Sequence, residues 1–326
     1  MKREILEILR ERKDFVSGEE LCRKFGVSRT AVWKAVRSLT EEGYQIEAVR
    51  SKGYRLIESA DVLSEESVRR ELTARWTGRV LEVYDEIGST NDRVRELGEA
   101  GAPEGTLVAA NHQTAGKGRR GRVWQTPAGT ALAFSLLLRP QIPPERVSML
   151  TLAAAVAVRR GIEKASGLAC RIKWPNDIVH DGKKICGILT ELSAEMEQVR
   201  FCIVGIGINV TVQSFPPELS DKAASILTET GRAVSRSVLL GDILTAFEEI
   251  YADVVRTQDL SSLIPEYEQN MAGIGEPVVI EDPQHRRQAE CQGISPLGAM
   301  RVKNPDGTEE NIISGEVSVR GLYRYI

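Results

Sequence analysis

The chain has 326 residues, 42% of them hydrophobic and 27% charged, with a net charge of −3. That length suits two or three domains around a sizeable core, and without a run of about 18 apolar residues no transmembrane helix is expected. The charged opening Met1-Lys2-Arg3-Glu4 reads as a helix start and not as a signal peptide. The five cysteines, an odd number with no CxxC pair, fit buried thiols in a reduced cytoplasmic protein better than a disulfide or zinc framework.

Charge is unevenly spread. Residues 1–58 hold 13 Lys/Arg against 10 Asp/Glu, a balance of +3, so the remainder carries −6. The basic segment reads as three helices and a hairpin. Ile5, Leu6, Ile8 and Leu9 give the first helix an apolar stripe. Ser17 and Glu20 have the spacing of a capping box for the second, in which Leu21 and Phe25 face inward and which Gly26 ends. Ser28 caps the third, from Arg29 to about Glu42. The helical period puts Val32, Val36 and Leu39 on one side and Thr30, Trp33, Lys34 and Arg37 on the other. Two strands follow, 44–50 and 53–57, with Arg50, Ser51 and Lys52 at the tip as a basic wing. The order resembles a winged helix-turn-helix. It presents Ser28, Arg29, Thr30, Trp33, Lys34, Arg37, Arg50 and Lys52 to DNA. A small protein-interaction bundle is the alternative, in which Trp33 would belong to the core.

Residues 59–66 read as a polar linker that ends in Leu63-Ser64-Glu65, and a helix follows to about Ala74. From Val80 to about Ala272, strand patterns at 106–110, 131–138, 170–173, 184–192 and 199–210 mix with amphipathic helices at 89–100, 146–166 and 237–257. The last two strands are joined by six residues, too few for a parallel crossover, so the pair is expected antiparallel. Regular βαβ alternation is absent. The reading is α+β: a mixed, largely antiparallel sheet with helices on one face. Residues 273–326 form a third segment of short β runs (277–281, 287–294, 298–303, 309–321). They are split by Asp282-Pro283, Ser295-Pro296 and Asn304-Pro305-Asp306-Gly307, as in a small β-barrel.

The chemistry concentrates in the middle segment. Between Gln113 and Trp124, the run Gly116-Lys117-Gly118-Arg119-Arg120-Gly121-Arg122 packs three glycines and four cations into seven residues. Glycines expose backbone N–H groups and the cations add charge, which suits a phosphate or carboxylate. It is not a Walker A loop, because position 111 is Asn and position 118 is Gly. Nor is it a dinucleotide fingerprint, because a strand and not a helix follows. Alone, it could equally be an exposed basic loop that binds RNA or nothing. It is accompanied by Gly88-Ser89-Thr90-Asn91 at a helix start, Lys173-Trp174-Pro175-Asn176-Asp177 at a strand end, Lys184 opening an apolar strand, and Gly205-Ile206-Gly207-Ile208-Asn209. No Ser-His-Asp pattern and no metal-ligand spacing among the three histidines is present. His112 beside Gln113 reads as a surface or core residue with a functional role as the alternative.

These five motifs, in order over about 120 residues, resemble the biotin–protein ligases, specifically the bifunctional kind that also represses the biotin operon. The winged helix in front and the small β segment behind extend the resemblance over essentially the whole chain. It implies a winged helix-turn-helix (1–62), a class II synthetase-like biotin-adenylating domain (63–272) and an SH3-like barrel (273–326). By the resemblance, Ser89, Thr90, Asn91 and Gln113 meet the ureido and thiophane end of biotin. Gly116, Lys117, Gly118 and Arg119 wrap the carboxylate and adenylate phosphate, and Trp124 stacks on the adenylate side. Lys184 reaches the reacting groups, and Asn209 with the loop from about 212 to 219 lines the adenine. Arg119 and Lys184 are the catalytic candidates. Asp177 is either a base for the acceptor amine or a structural carboxylate. Many members carry Arg where this chain has Lys117, and Lys keeps the charge but loses the planar fork. Biotin, ATP and Mg²⁺, the lysine of a biotin carboxyl carrier protein, operator DNA and an adenylate-bound homodimer are the implied ligands and partners. A ligand-sensing transcription factor without ligase activity and a lipoate–protein ligase are the alternatives.

Overall fold

The apolar stripe of the first helix organises the N-terminal unit of this computed structural model, which describes residues 1–12, 14–41, 44–58, 61–195, 198–281, 286–313 and 318–321. The chain divides into two compact units, Met1–Val62 and Leu63–Ile326. In the first, α1 (Lys2–Glu11) buries Ile5, Leu6, Ile8 and Leu9. At the start of α2 (Gly18–Phe25) the Ser17 hydroxyl accepts the Glu20 N–H at 3.0 Å. The Glu20 carboxylate does not complete the capping box; it pairs with Arg12 at 2.8 Å, because a guanidinium is a stronger partner than an amide. Gly26 ends the helix at φ 64°. In α3 (Arg29–Glu41), Ser28 accepts the Ala31 N–H at 3.2 Å, and Val32, Ala35, Val36 and Leu39 are buried. Strands β1 (Gln45–Val49) and β2 (Gly53–Glu58) form the antiparallel wing.

The second unit begins with α4 (Glu65–Glu71), β3 (Leu81–Tyr84), α5 (Thr90–Glu99), β4 (Leu107–Ala110) and β5 (Ala131–Leu138). Then come α6 (Ser148–Ser166), β6 (Arg171–Lys173), β7 (Asp177–His180), β8 (Lys183–Glu195) and β9 (Gln198–Asn209). Helices α7 (Ile226–Thr230), α8 (Arg236–Thr257) and α9 (Ile264–Gln269) follow. The sheet order is β3-β4-β5-β9-β8-β7-β6, antiparallel except for the parallel pair β3–β4. The β8–β9 pair is antiparallel as its short connection requires.

Helices on a single face were expected; the sheet has them on both. Helices α6 and α8 cover the face that carries Leu107, Phe134, Leu136 and Val204. On the opposite face α5 packs Val94 against Val108, Leu137, Phe201 and Ile203. The two sets alternate along each strand with period two. The signal lay in 131–138, which is apolar at every position except Ser135, the pattern of a strand buried on both sides.

Strands β10 (Pro277–Glu281), β11 (Arg286–Ile294), β12 (Met300–Lys303), β13 (Glu309–Ile312) and β14 (Ser318–Gly321) form an antiparallel sheet in the order β13-β12-β11-β10-β14. Val278, Ile280, Cys291, Met300 and Val302 join the core of the central sheet. The Asp282-Pro283 turn, His285, Glu42 and residues 314–317 of the last β run lie outside the described residues. No helix among the described residues is long and apolar enough to cross a membrane. The cysteines are free, and four are buried; burial pushes the Cys170 thiol up to about 12 and raises Cys186, Cys202 and Cys291 as well, which makes them unreactive.

One carboxylate ties the start of the second unit to α8. Burial alone would raise the Glu248 carboxyl, but the N–H groups of Thr77, Arg75 and Trp76 and the Thr77 hydroxyl converge on it at 2.7–3.0 Å and hold it below its ordinary value. A depressed carboxyl contributes stability that is complete above the unfolded value, here 4.5, and is lost as pH falls below it. Glu248→Gln is expected to cost about 1–3 kcal/mol near neutral pH, since an amide turns donor hydrogens toward donors. The gap in urea midpoint between the two proteins should narrow below pH 4.5; a gap that stays constant would refute this account.

Candidate active site

The N-terminus of α5, the floor of β8 and β9 and the loop 113–124 frame an open cleft on the α5 face of the sheet. It is lined by Ser89, Thr90, Asn91, Gln113, Lys117, Gly118, Arg119, Trp124, Asn176 and Lys184, with Ile188, Leu189 and Ile206 as apolar wall. Motifs spread over some 120 residues of sequence therefore meet in one place.

The polar end is held by buried side chains. Ser89, Thr90 and Asn91 are 2%, 3% and 5% exposed. Gln113 Oε1 accepts the Thr90 N–H at 2.8 Å, which fixes the orientation of its amide. Asn91 spends its amide inside the protein: Nδ2 donates to Glu191 at 2.6 Å, and Oδ1 lies 2.6 Å from the Ser135 hydroxyl. The Ser89 hydroxyl lines the cleft, is buried and has no partner among the described residues.

The floor is backbone. A Cβ on Gly205 would stand 2.0 Å from Asn91 Oδ1, and one on Gly207 would stand 2.7 Å from the Trp124 ring. Only glycine leaves room there for side chains to cross the sheet.

The other end is cationic. The loop is a narrow hairpin: Trp124 N–H donates to Gly116 O at 2.9 Å, and Gly118 N–H donates to Arg122 O at 2.7 Å. Its tip turns through left-handed Arg120 and Gly121 at φ 58° and 72°. Arg119 reaches across to Asn176 Oδ1 at 2.8 Å. Asn176 in turn donates Nδ2 to Ile188 O at 3.0 Å. Burial lowers the Arg119 guanidinium from its ordinary value, Asp177 counters this, and Arg120 and Arg122 add to it; it remains charged. Lys184 sits 2.6 Å from Asp177 Oδ1, and its Nζ lies 5.7 Å from the centre of the Trp124 ring. The Trp124 Nε1 is buried without a partner among the described residues. Lys117 pairs with Asp92 at 2.5 Å.

Other candidates lie apart from the cleft lining. Asn209 is buried and donates to Ala224 O at 3.0 Å, so it ties the strand end to the segment before α7. His112 faces Glu86 at 3.0 Å, and His180 Nδ1 faces Ala169 O at 2.9 Å. Among the described residues no three His, Cys, Asp or Glu side chains cluster as a metal site. The sequence motifs contained Asn176 but gave no sign that it positions Arg119. They gave no hint of Glu191, which reaches Asn91 from 100 residues away.

In the N-terminal unit, Ser28, Arg29, Thr30, Trp33, Lys34, Arg37, Arg50 and Lys52 are all exposed. Trp33 is 49% exposed, with the Arg37 guanidinium 5.5 Å from the centre of its ring. The face opposite the small core therefore carries three cations in α3, Arg29, Lys34 and Arg37, and two on the wing and its flank, Arg50 and Lys52.

Residues 83–209 match the biotin/lipoate A/B protein ligase family, and residues 2–55 match an HTH domain. The chain is 41% identical to the bifunctional ligase/repressor BirA of Bacillus spizizenii over 98% of both chains. It is 28% identical to the protein of that name from Escherichia coli over 94% of both. The biotin protein ligase from Aquifex aeolicus, solved in complex with biotin and ATP, superposes with a TM-score of 0.66 at 30% identity, covering 74% of this chain and 99% of that one. The chain belongs to the biotin–protein ligase family, among its bifunctional ligase/repressor members.

Proposed function

We propose that the chain joins biotin to ATP as biotinyl-5′-AMP, passes the biotin to a lysine of a biotin carboxyl carrier protein, and represses biotin genes with the adenylate as corepressor. The observation that carries the ligase reading is the polarity of the cleft. An open Ser89 hydroxyl with Thr90 and Gln113 marks one end, an apolar glycine floor the middle, and Arg119 and Lys184 the other end. A ureido ring, an aliphatic chain and a carboxylate have the same sequence of polarities.

In the first step a biotin carboxylate oxygen attacks the α-phosphorus of ATP, and pyrophosphate leaves. Two anions must approach, and Arg119 and Lys184 offset that repulsion in a partly desolvated cleft. Mg²⁺ belongs to the substrate here, arriving on the ATP phosphates. In the second step the neutral lysine amine attacks the acyl carbon, AMP leaves, and the amine proton is released. Asp177, paired with Lys184 at 2.6 Å, is our candidate base for it, with a purely structural carboxylate as the alternative. Trp124 stacks on the adenylate, and the hairpin 116–124 shields the mixed anhydride from water. Asn209 acts on the adenine through the segment it braces. The mixed central sheet and the five-stranded antiparallel sheet after it support reading them as a synthetase-like domain and a small SH3-like barrel.

The exposed α3 face and the basic wing make the N-terminal unit the DNA reader. A single such unit buries too little for tight operator binding, so an adenylate-bound homodimer on a two-fold site is the working form. Pyrophosphate exchange with biotin, with lipoate and with neither tests the ligase reading: only biotin should support it. Exchange with lipoate alone would make the protein a lipoate ligase, and exchange with neither would leave a ligand-sensing transcription factor. In the full chain, Trp33→Ala and Arg37→Ala should each weaken binding to the promoter DNA of the biotin genes by about tenfold or more while biotin transfer is unchanged. Undiminished DNA binding would overturn the assignment of that face.

A further inference from the structure

We propose that Ser135 is a positioning residue that sets the Thr90 hydroxyl as a hydrogen-bond acceptor toward a ligand N–H, through a one-way chain that ends on the Glu191–Arg95 ion pair. The proposal rests on the reading of the cleft as the biotin site.

Ser135 is the one polar side chain in β5 and is 0% exposed. Its hydroxyl lies 2.7 Å from Thr90 Oγ1 and 2.6 Å from Asn91 Oδ1. A serine has a single hydrogen, and two acceptors compete for it. The far end of the chain decides between them. Glu191 is acceptor-only, held by Arg95 at 3.0 Å, so the Asn91 atom 2.6 Å from it must be the amide nitrogen. Asn91 Oδ1 is thereby turned to Ser135, and being an acceptor it takes the Ser135 hydrogen. The Ser135 oxygen can then only accept, and the hydrogen it accepts at 2.7 Å is that of Thr90. That contact is shorter than the 3.1 Å from Thr90 Oγ1 to Gln113 Oε1, whose own donor is the Thr90 N–H.

Every hydrogen in the chain therefore points toward Glu191, and the carboxylate polarises the chain in that sense. What remains for the cleft at Thr90 is a lone pair. Ser89, with its hydrogen uncommitted, is a donor beside it. An acceptor next to a donor matches a cyclic urea, which offers an N–H next to a C=O, and mismatches a ring without N–H groups. Specificity for the ligand head is thus written partly in Ser135, Asn91, Glu191 and Arg95, none of which needs to touch it.

The test is steady-state pyrophosphate release by the full chain with biotin and ATP. In Ser135→Ala, Asn91 Oδ1 loses its donor, and the Thr90 hydrogen, no longer held by Ser135, is free to turn into the cleft against the ligand N–H. The KM for biotin should rise about tenfold to hundredfold, the effect of an unmet buried hydrogen bond. The KM for ATP and kcat should move less than about threefold. Biotin methylated at each ureido nitrogen in turn supplies a readout that a structural role would not move. The penalty for methylation at one nitrogen should shrink in Ser135→Ala, because the acceptor it disrupts is already lost. If Ser135→Ala does not fold, Glu191→Gln carries the same test at a partly exposed position, with a smaller rise and the same split. An unchanged biotin KM, or a parallel loss in both KM values, kcat and melting temperature, overturns the proposal. A parent protein that shows no biotin-dependent release overturns the active-site reading instead.

Discussion

Replacing Lys184 with alanine should lower biotin-dependent pyrophosphate exchange by about a hundredfold to a thousandfold, the scale of losing a preorganised charge where a transition state gathers negative charge. A lysine at a strand start is ordinarily solvated and dispensable to a core, and the sequence suggests that losing this one would impair adenylate formation far more than folding. The structure changes that expectation. Lys184 is 24% exposed and Asp177 11%, with 2.6 Å between them, so removing the lysine strands a nearly buried carboxylate. A stability loss of up to about 3 kcal/mol should accompany the loss of exchange. The double variant Lys184→Ala/Asp177→Asn separates the two effects: it should recover most of the stability and none of the exchange. Exchange within about threefold of the parent in the single variant would remove Lys184 from the chemistry.

Arg119→Gly should leave adenylate formation measurable but shorten retention of the adenylate by about tenfold to hundredfold, the worth of one or two charge-assisted hydrogen bonds. Released adenylate would then biotinylate lysines of bystander proteins. Arg119 is mostly buried and braced by Asn176 at 2.8 Å, so its charge is held in place before any ligand arrives. Glycine at 119 also loosens the hairpin next to the left-handed turn at Arg120 and Gly121. Arg119→Gln keeps the backbone stiff and removes only the charge. If the role is electrostatic, both variants lose adenylate. The time course of adenylate retention by gel filtration is the measurement, and a parent-like course in both would refute the assignment.

Much of this protein was legible without coordinates because its signals are local. The stripe of Ile5, Leu6, Ile8 and Leu9, the caps at Ser17 and Ser28 and the exposed row Thr30, Trp33, Lys34, Arg37 follow from helical period and capping chemistry. The short link between β8 and β9 dictates their antiparallel pairing. The cationic loop announces an anion because three glycines and four cations share seven positions.

Only the tertiary structure decided which side chains line the cleft together and which partners they take there. Asn91 was grouped with Ser89 and Thr90 by adjacency, yet its amide is consumed by Glu191 and Ser135 while the Ser89 hydroxyl stays open. Glu20 could have closed a capping box but meets Arg12. Lys184 looked solvated until folding set it against Asp177. Helix α5 lies across the sheet from α6 and α8, which brings residues 89–91 over Gly205. Periodicity and capping act over about four residues, whereas hydrogen-bond partners 44 to 100 positions apart are chosen only when strands pair and the faces of the sheet are assigned.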